Sequence, residues 1–409
     1  MPFSSLNLSA KLVAALPSQF KTPTEIQTLA IPAILANNDV LALAQTGTGK
    51  TFAYGLPLLE SAALNAGMHR AVVMVPTREL AIQVSAALAS VAHNMNLRVM
   101  ALCGGVDKAE QLELLSAKPE ILVATPGRLL DLLNDGAIET DGIDKLVFDE
   151  ADRLLEMGFW PDVQRILALL PAKRQSLMFS ATLPEQLEQI VANVLHKPAV
   201  VKAHVANSVV EQIEERLYLV NKGSKTQALI TLIEQQGWEQ VLVFIGARDN
   251  ADALCKKLTK AGISVAALHG DKSQGEREQV LADFKDKKVQ VLIATDLLAR
   301  GIHVERLPVV VNFELPANPS VYVHRVGRTA RAGENGLAVS LVCHGESEYL
   351  AAIRQMVNRE LPLQALAGFP VTDKPSTGES KRPKRDKQAN RRTARKTSAK
   401  QFQVKKNKR

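Results

Sequence analysis

Eleven short apolar runs recur along this chain, each separated from the next by a longer stretch with helical periodicity. The first series comprises Val40–Ala44, Ala71–Val75, Ile121–Ala124, Leu146–Phe148 and Ser176–Phe179. The second comprises Leu217–Val220, Val241–Ile245, Val265–Leu268, Val291–Ala294, Val309–Phe313 and Ala338–Val342. Runs so short and so continuously apolar read as strands buried on both faces, and helical connections between them imply parallel pairing. The expected class is therefore α/β, with two related domains that each hold a mostly parallel sheet flanked by helices. The break between the series sets the boundaries: a first domain over 1–205, a linker over 206–212, a second domain over 213–368 and a tail over 369–409.

The tail stands apart by charge. From Lys374 to Arg409 there are fifteen Lys or Arg against Glu379 and Asp386, a balance of +13, so the rest of the chain carries −5 of the net +8. A segment of Pro, Ser, Lys and Arg cannot bury enough apolar surface to fold alone, and we expect disorder there. Its charge suits a polyanion. The other apolar runs are strand-length, too short to span a bilayer. The N-terminus has no basic segment leading into a long apolar one, so a cytoplasmic protein is expected. Cys103, Cys255 and Cys343 lack metal-ligand spacing and are expected to be reduced core thiols. Aromatic residues make up 4% of the chain, which argues against recognition through broad stacking platforms.

Two motifs carry chemistry. Ala44-Gln45-Thr46-Gly47-Thr48-Gly49-Lys50-Thr51 follows an apolar run and has the form of a phosphate-cradling loop. Its glycines let backbone N–H groups point at phosphate oxygens, Lys50 adds charge at the β/γ-phosphates, and Thr51 offers a hydroxyl to Mg²⁺. Asp149-Glu150-Ala151-Asp152 closes the run Leu146–Phe148. There Asp149 suits Mg²⁺, partly through water, and Glu150 suits orienting and deprotonating an attacking water. Both motifs sit just after strands, where open α/β sheets bind ligands. Together they point to a protein that hydrolyses a nucleoside triphosphate.

Further motifs occur in order. Phe20-Lys21-Thr22-Pro23-Thr24-Glu25-Ile26-Gln27 supplies an amide able to match the donor–acceptor edge of adenine, with Phe20 to stack on the base. Pro76-Thr77-Arg78-Glu79-Leu80, Gly104-Gly105 and Thr125-Pro126-Gly127-Arg128 each follow a strand and offer groups suited to phosphate. Ser180-Ala181-Thr182 closes the first series. In the second half lie Phe244, His269 to Arg277, Thr295-Asp296, Ala299-Arg300-Gly301 and His324-Arg325-Val326-Gly327-Arg328-Thr329-Ala330-Arg331. Gln274 and Arg277, three apart, share a helix face.

In this order and spacing, over residues 3–345, the chain resembles the DEAD-box RNA helicases. The resemblance implies two tandem RecA-like domains and an ATP-dependent RNA helicase that unwinds short duplexes or remodels RNA–protein complexes. It implies ATP contacts from Phe20, Gln27, Thr46, Gly47, Thr48, Gly49, Lys50 and Thr51, with Arg328 and Arg331 as fingers on the γ-phosphate. Asp152, Ser180, Thr182, Gly301 and His324 would couple the domains. Arg78, Gly105, Thr125, Gly127, Arg128, Gln274, Arg277 and Thr295 would hold the sugar-phosphate backbone of one RNA strand. A monomer is expected, with ribosomal or RNA-processing complexes as partners. Three positions depart from the family: Gln19 stands where a Gly precedes the aromatic, Ala330 replaces a Gly, and His303 replaces an Asp that bonds the ribose. Two rivals stay open at this stage, a DNA helicase or translocase on the same core and an RNA chaperone whose tail does the annealing.

Overall fold

The structure is a computed structural model that describes residues 2–18, 20–45, 47–64, 68–203, 213–296, 307–329 and 336–373, with Gln274 described by its backbone alone. Strands β1 (Val40–Leu43), β2 (Ala71–Met74), β3 (Val99–Leu102), β4 (Ile121–Ala124), β5 (Lys145–Phe148), β6 (Gln175–Ser180) and β7 (Ala199–Lys202) form one sheet. Its order is β3-β4-β2-β5-β6-β1-β7. Strands β8 (Ile213–Leu219), β9 (Val241–Ile245), β10 (Val265–Leu268), β11 (Val291–Thr295), β12 (Val309–Asn312), β13 (Gly336–Val342) and β14 (Leu363–Ala365) form the other. That order is β10-β11-β9-β12-β13-β8-β14, the same permutation seven strands later. Every pairing is parallel. The two halves thus repeat one topology, that of tandem RecA-like domains.

Successive side chains of a strand point to opposite faces, and here both faces are covered. In the first sheet Ala42, Val73, Val123 and Leu177 feed one core, while Leu41, Val72, Leu122 and Met178 feed the other. Truncating Leu41, Leu122, Leu177 or Met178 to Ala would cost about 2–5 kcal/mol. This two-sided burial is why the interior strands read as unbroken apolar runs.

Three strands were not among the eleven runs, and all three lie at sheet edges. β3 and β7 flank the first sheet and β14 flanks the second. β7 alternates half-buried with exposed residues, and β14 is exposed throughout. An edge strand has a face or a side in solvent, so its composition need not be apolar, although β3 is apolar throughout.

Motif-bearing loops leave the carboxyl ends of β1, β2, β4, β5 and β6. Cys103 and Cys343 are buried and Cys255 is half-buried, all unpaired. Among the described residues no helix is long and apolar enough to cross a membrane. Thr46, Gly301, His303, Arg331, the interdomain linker and the tail from residue 374 lie outside the described residues.

Candidate active site and nucleic-acid groove

After β1 the chain turns through Ala44–Gly49 into the helix Lys50–Ala63. Gly47 and Gly49 hold φ of +85° and +93°, the left-handed region that disfavours a Cβ. At Gly49 an added Cβ would also lie 2.5 Å from Gln27 Nε2, so the turn tolerates only Gly. Thr48 Oγ1 donates to the Gln45 carbonyl at 2.8 Å and tightens the loop. Lys50 is buried at the helix N-terminus, and its Nζ has no hydrogen-bond partner. A buried ammonium without partners is costly, and the free N–H groups of the helix start face the same way in charge. The loop is built for an anion such as a phosphate chain.

Asp149 follows β5, and Glu150 stands at φ +52°, ψ 51°, a left-handed conformation unusual for a residue with a side chain. Held strain of this kind occurs where the backbone must aim a functional group. Asp149 Oδ1 accepts from the Glu150 N–H at 2.9 Å, and its Oδ2 accepts from the Tyr54 hydroxyl at 2.7 Å. Burial pushes the Asp149 carboxyl up, against the pull of Lys50. Burial also acts upward on Glu150, but Arg153, His324, Lys50 and Arg328 outweigh it and hold that carboxyl below its ordinary value. Arg153 Nη1 lies 3.1 Å from Glu150 Oε2 as an ion pair without hydrogen-bond geometry. Glu150 is therefore held ionised, and its Oε2, which has no hydrogen-bond partner, can accept a hydrogen bond from a water.

Asp152 ties this motif to both neighbours. Its Oδ2 accepts from the Thr182 N–H at 3.0 Å and the Thr182 hydroxyl at 2.7 Å, and His324 Nε2 lies 3.1 Å away. Ser180 Oγ accepts from the Asp152 N–H and donates to the Thr182 carbonyl. Burial alone would raise Asp152, but His324 and Thr182 hold it well below the usual carboxylate range. His324, from the second sheet, is lowered by burial and by Arg153 despite the attraction of Asp152. A neutral imidazole donating from Nε2 fits this balance.

The residues read for adenine sit beside the loop. Gln27 Oε1 accepts from the Thr24 N–H at 2.9 Å and Nε2 donates to the Gly49 carbonyl at 3.0 Å. One amide hydrogen and one lone pair remain, the pair that an adenine edge requires. Phe20 meets Phe52 edge-on at 4.6 Å and Phe3 at 6.4 Å, so the upstream Phe3 is a core contact buttressing Phe20.

On the second sheet the helix Pro319–Val326 presents His324 and leads to Arg328, which is buried. Arg325, between them, is a structural anchor: it grips Asp296 through Nε and Nη2 at 2.6 and 2.8 Å. It also donates to Asn312 and to the Glu314 carbonyl, and lies 5.0 Å from the Phe244 ring centre. A small cavity lined by Arg153, Phe244, Asp296, His324, Arg325 and Arg328 brings the two sheets' charged groups together. Tyr54, Arg153 and Arg325 were not among the sequence-derived site residues. Tyr54 lies one helical turn beyond Lys50-Thr51 and Arg153 directly follows Asp152, so proximity to the motifs was the available signal.

A separate groove of about 660 Å³ collects the residues expected to touch RNA. Arg78, Gly105, Thr125, Gly127 and Arg128 from the first sheet line it together with Arg277 from the second. Carbonyls hold the guanidinium groups in place: Arg78 donates to Gly105 O, Arg128 to Val106 O, and Arg277 to Gly270 O and Lys272 O. Gly105, at φ +77°, leaves an added Cβ 3.1 Å from Arg78 Nη1. Thr295 ends β11 outside this lining, and Gln274 starts the helix Gln274–Lys285 that carries Arg277.

Two parallel α/β units with a phosphate loop, an acidic pair and a facing arginine define a nucleotide-hydrolysing motor of the two-domain kind. The comparisons agree. The DEAD/DEAH box helicase family matches residues 24–190, and the helicase conserved C-terminal domain matches residues 224–333. The ATP-dependent RNA helicase CshA of Listeria monocytogenes is 38% identical over 365 residues, covering 89% of this chain and 70% of that protein. The ATP-dependent RNA helicase DbpA of Escherichia coli is 40% identical over 365 residues, covering 88% and 80%. The structure of S. cerevisiae Dbp5 bound to RNA and ADP BeF3 superposes with a TM-score of 0.79 at 28% identity, covering 89% of this chain and 95% of that one. The chain belongs to the DEAD-box ATP-dependent RNA helicase family, whose members are RNA-dependent ATPases.

Proposed function

We propose that this protein couples hydrolysis of ATP on the phosphate loop to closure of its two sheets on one RNA strand, and so separates short duplexes or displaces bound protein. The observation that carries the reading is the buried, partnerless Lys50 ammonium beside the buried carboxylates Asp149 and Glu150. On this reading the loop residues Thr46–Thr51 cradle the phosphates, Gln27 and Phe20 take the base, and Arg328 and Arg331 neutralise charge on the γ-phosphate. Glu150 orients the attacking water and takes its proton.

A Mg²⁺ ion fits the same place. Among the described residues no three His, Cys, Asp or Glu side chains cluster as a metal cage. The motif reading makes Thr51 and Asp149 its protein contacts, with phosphate and water as the remainder. When bound, it would neutralise phosphate charge. Asp149 has both carboxylate oxygens oriented in advance by Tyr54 and the Glu150 N–H.

RNA would lie in the groove of Arg78, Arg128 and Arg277, with Gln274 and Thr295 extending the path. Guanidinium and N–H contacts to phosphates imply little base preference. We assign residues 1–205 and 213–368 as the two motor domains and 369–409 as a basic tail that adds RNA affinity. A monomer working in the cytoplasm, alone or within RNA-processing complexes, completes the proposal. The test is Glu150→Gln with RNA present. ATP and RNA binding should persist while hydrolysis falls at least about a hundredfold. Turnover near the wild-type rate would remove Glu150 from its role, and equal stimulation by DNA would point to the rival substrate.

A further inference from the structure

The helix Ala151–Glu156 of the first sheet and the helix Pro319–Val326 of the second meet at two points. At one, Asp152 Oδ2 lies 3.1 Å from His324 Nε2. At the other, Glu156 Oε1 accepts from Asn318 Nδ2 at 2.7 Å and from the Ser320 hydroxyl. Asp152 and Glu156 are four residues apart, and so are Ser320 and His324. Residues so spaced lie one above the other on one helix face, about 6 Å apart along the axis. The two turns therefore dock antiparallel through matched pairs.

The second point is chemically favourable in its own right. Asn318 caps the second helix, its Oδ1 accepting from the Ser320 N–H at 3.1 Å, and Pro319 opens the first turn. The Glu156 carboxylate thus sits against the electropositive end of an eight-residue helix. Ser320 is buried, so its hydroxyl bond is shielded from competing water.

We propose that Glu156 is a positioning residue for the reaction: it forms, with Asn318 and Ser320, the second half of a two-point clasp that fixes how the arginine-bearing helix sits over the nucleotide. A single contact at His324 leaves that helix free to swivel about the contact. A second contact one turn away removes the rotation. Arg328 lies two residues beyond the helix end, and its direction follows the helix. The inference rests on the reading that Arg328 serves the nucleotide in the closed state. Neither ATP nor RNA touches Glu156 on that reading, so its effect is confined to the free energy of closure, which both ligands share.

The readout is the ratio of RNA affinities measured with AMP-PNP and Mg²⁺ and with ADP, which reports coupling through closure. Glu156→Ala should lower that ratio about tenfold, the typical effect of losing hydrogen bonds to a charged acceptor. RNA affinity with ADP, AMP-PNP affinity without RNA, and the thermal midpoint should stay near wild type, which separates loss of the clasp from misfolding. Ser320→Ala, placed on the other sheet, should give a smaller loss, and the double variant should be no worse than Glu156→Ala alone. An unchanged ratio in Glu156→Ala, or losses that simply add in the double variant, overturns the clasp. Failure of the underlying reading looks different: Arg328→Ala would then hydrolyse ATP normally, whatever the binding ratios show.

Discussion

The Tyr54 hydroxyl donates to Asp149 Oδ2 at 2.7 Å in an environment where neither side chain is open to solvent. Tyr54 sits on the helix that starts with Lys50, so this bond ties the phosphate loop's helix to the acidic motif at the end of β5. Burial and the adjacent Asp149 carboxylate push the phenol far above its ordinary value, which keeps it a donor at every working pH. Its ring packs edge-on against Phe179 at 5.1 Å.

Tyr54→Phe keeps that packing and removes the donor. A buried carboxylate deprived of one bond should destabilise the fold by about 1–3 kcal/mol. In a domain of this size that is a fall of about 2–4 °C in thermal midpoint per kcal/mol. ATPase should also fall, through loss of the carboxylate's set orientation. A scanning melt and an ATPase assay on the same preparation check both, and wild-type values in each would show that the hydroxyl is dispensable.

Nucleotide choice should follow Gln27. With one N–H and one lone pair of Gln27 left for a base, the wild type should turn over ATP well above GTP, CTP or UTP. Gln27→Ala should erase the preference. It should also raise the Michaelis constant for ATP about tenfold, since the Gly49 carbonyl loses its donor as well. Equal rates with ATP and GTP in the wild type would leave Gln27 as a loop fastener alone.

Acid should favour the open state through His324. Burial and Arg153 hold its folded value below the ordinary 6.5, against Asp152 and Glu150 on the facing helix. The free imidazole therefore binds a proton that the closed form resists, so closure weakens as pH falls below about 6.5 and is fully restored above it. RNA affinity with AMP-PNP should drop between pH 7.5 and 5.5, and His324→Gln should flatten that dependence. A wild-type profile as flat as the variant's would mean that some other group titrates.

The tail should act by charge. Truncation after Asp373 removes the balance of +13 and should leave ATPase at saturating RNA nearly intact. The RNA concentration for half-stimulation should rise, and the salt dependence of binding should flatten, because fewer counterions are released. The same affinity and salt slope with and without the tail would make it a solubilising appendage.

Much of this molecule was determined by local sequence. Interior strands such as β2 and β4 are buried on both faces, so unbroken runs like Ala71-Val72-Val73-Met74 announce them. The phosphate loop and acidic motif were equally legible, because Gly47, Gly49, Lys50, Asp149 and Glu150 are each required by chemistry at one point on the chain. The edge strand β14 was not, since full exposure frees its composition from the apolar rule, and β7 ends on an exposed Lys202. β3, by contrast, is as apolar as the interior strands, so its composition did not hide it. Tertiary structure alone decided which distant groups share a bond. Tyr54 reads as one more aromatic in a helix, Arg325 as one more cation in a basic motif, and Glu156 as a surface carboxylate. Their roles come from Asp149, 95 residues away, Asp296, 29 away, and Ser320, 164 away. Periodicity and turn chemistry report on neighbours within a few residues, whereas these contacts exist only because parallel sheets bring the carboxyl ends of distant strands together and the helix Ala151–Glu156 of one half touches the helix Pro319–Val326 of the other.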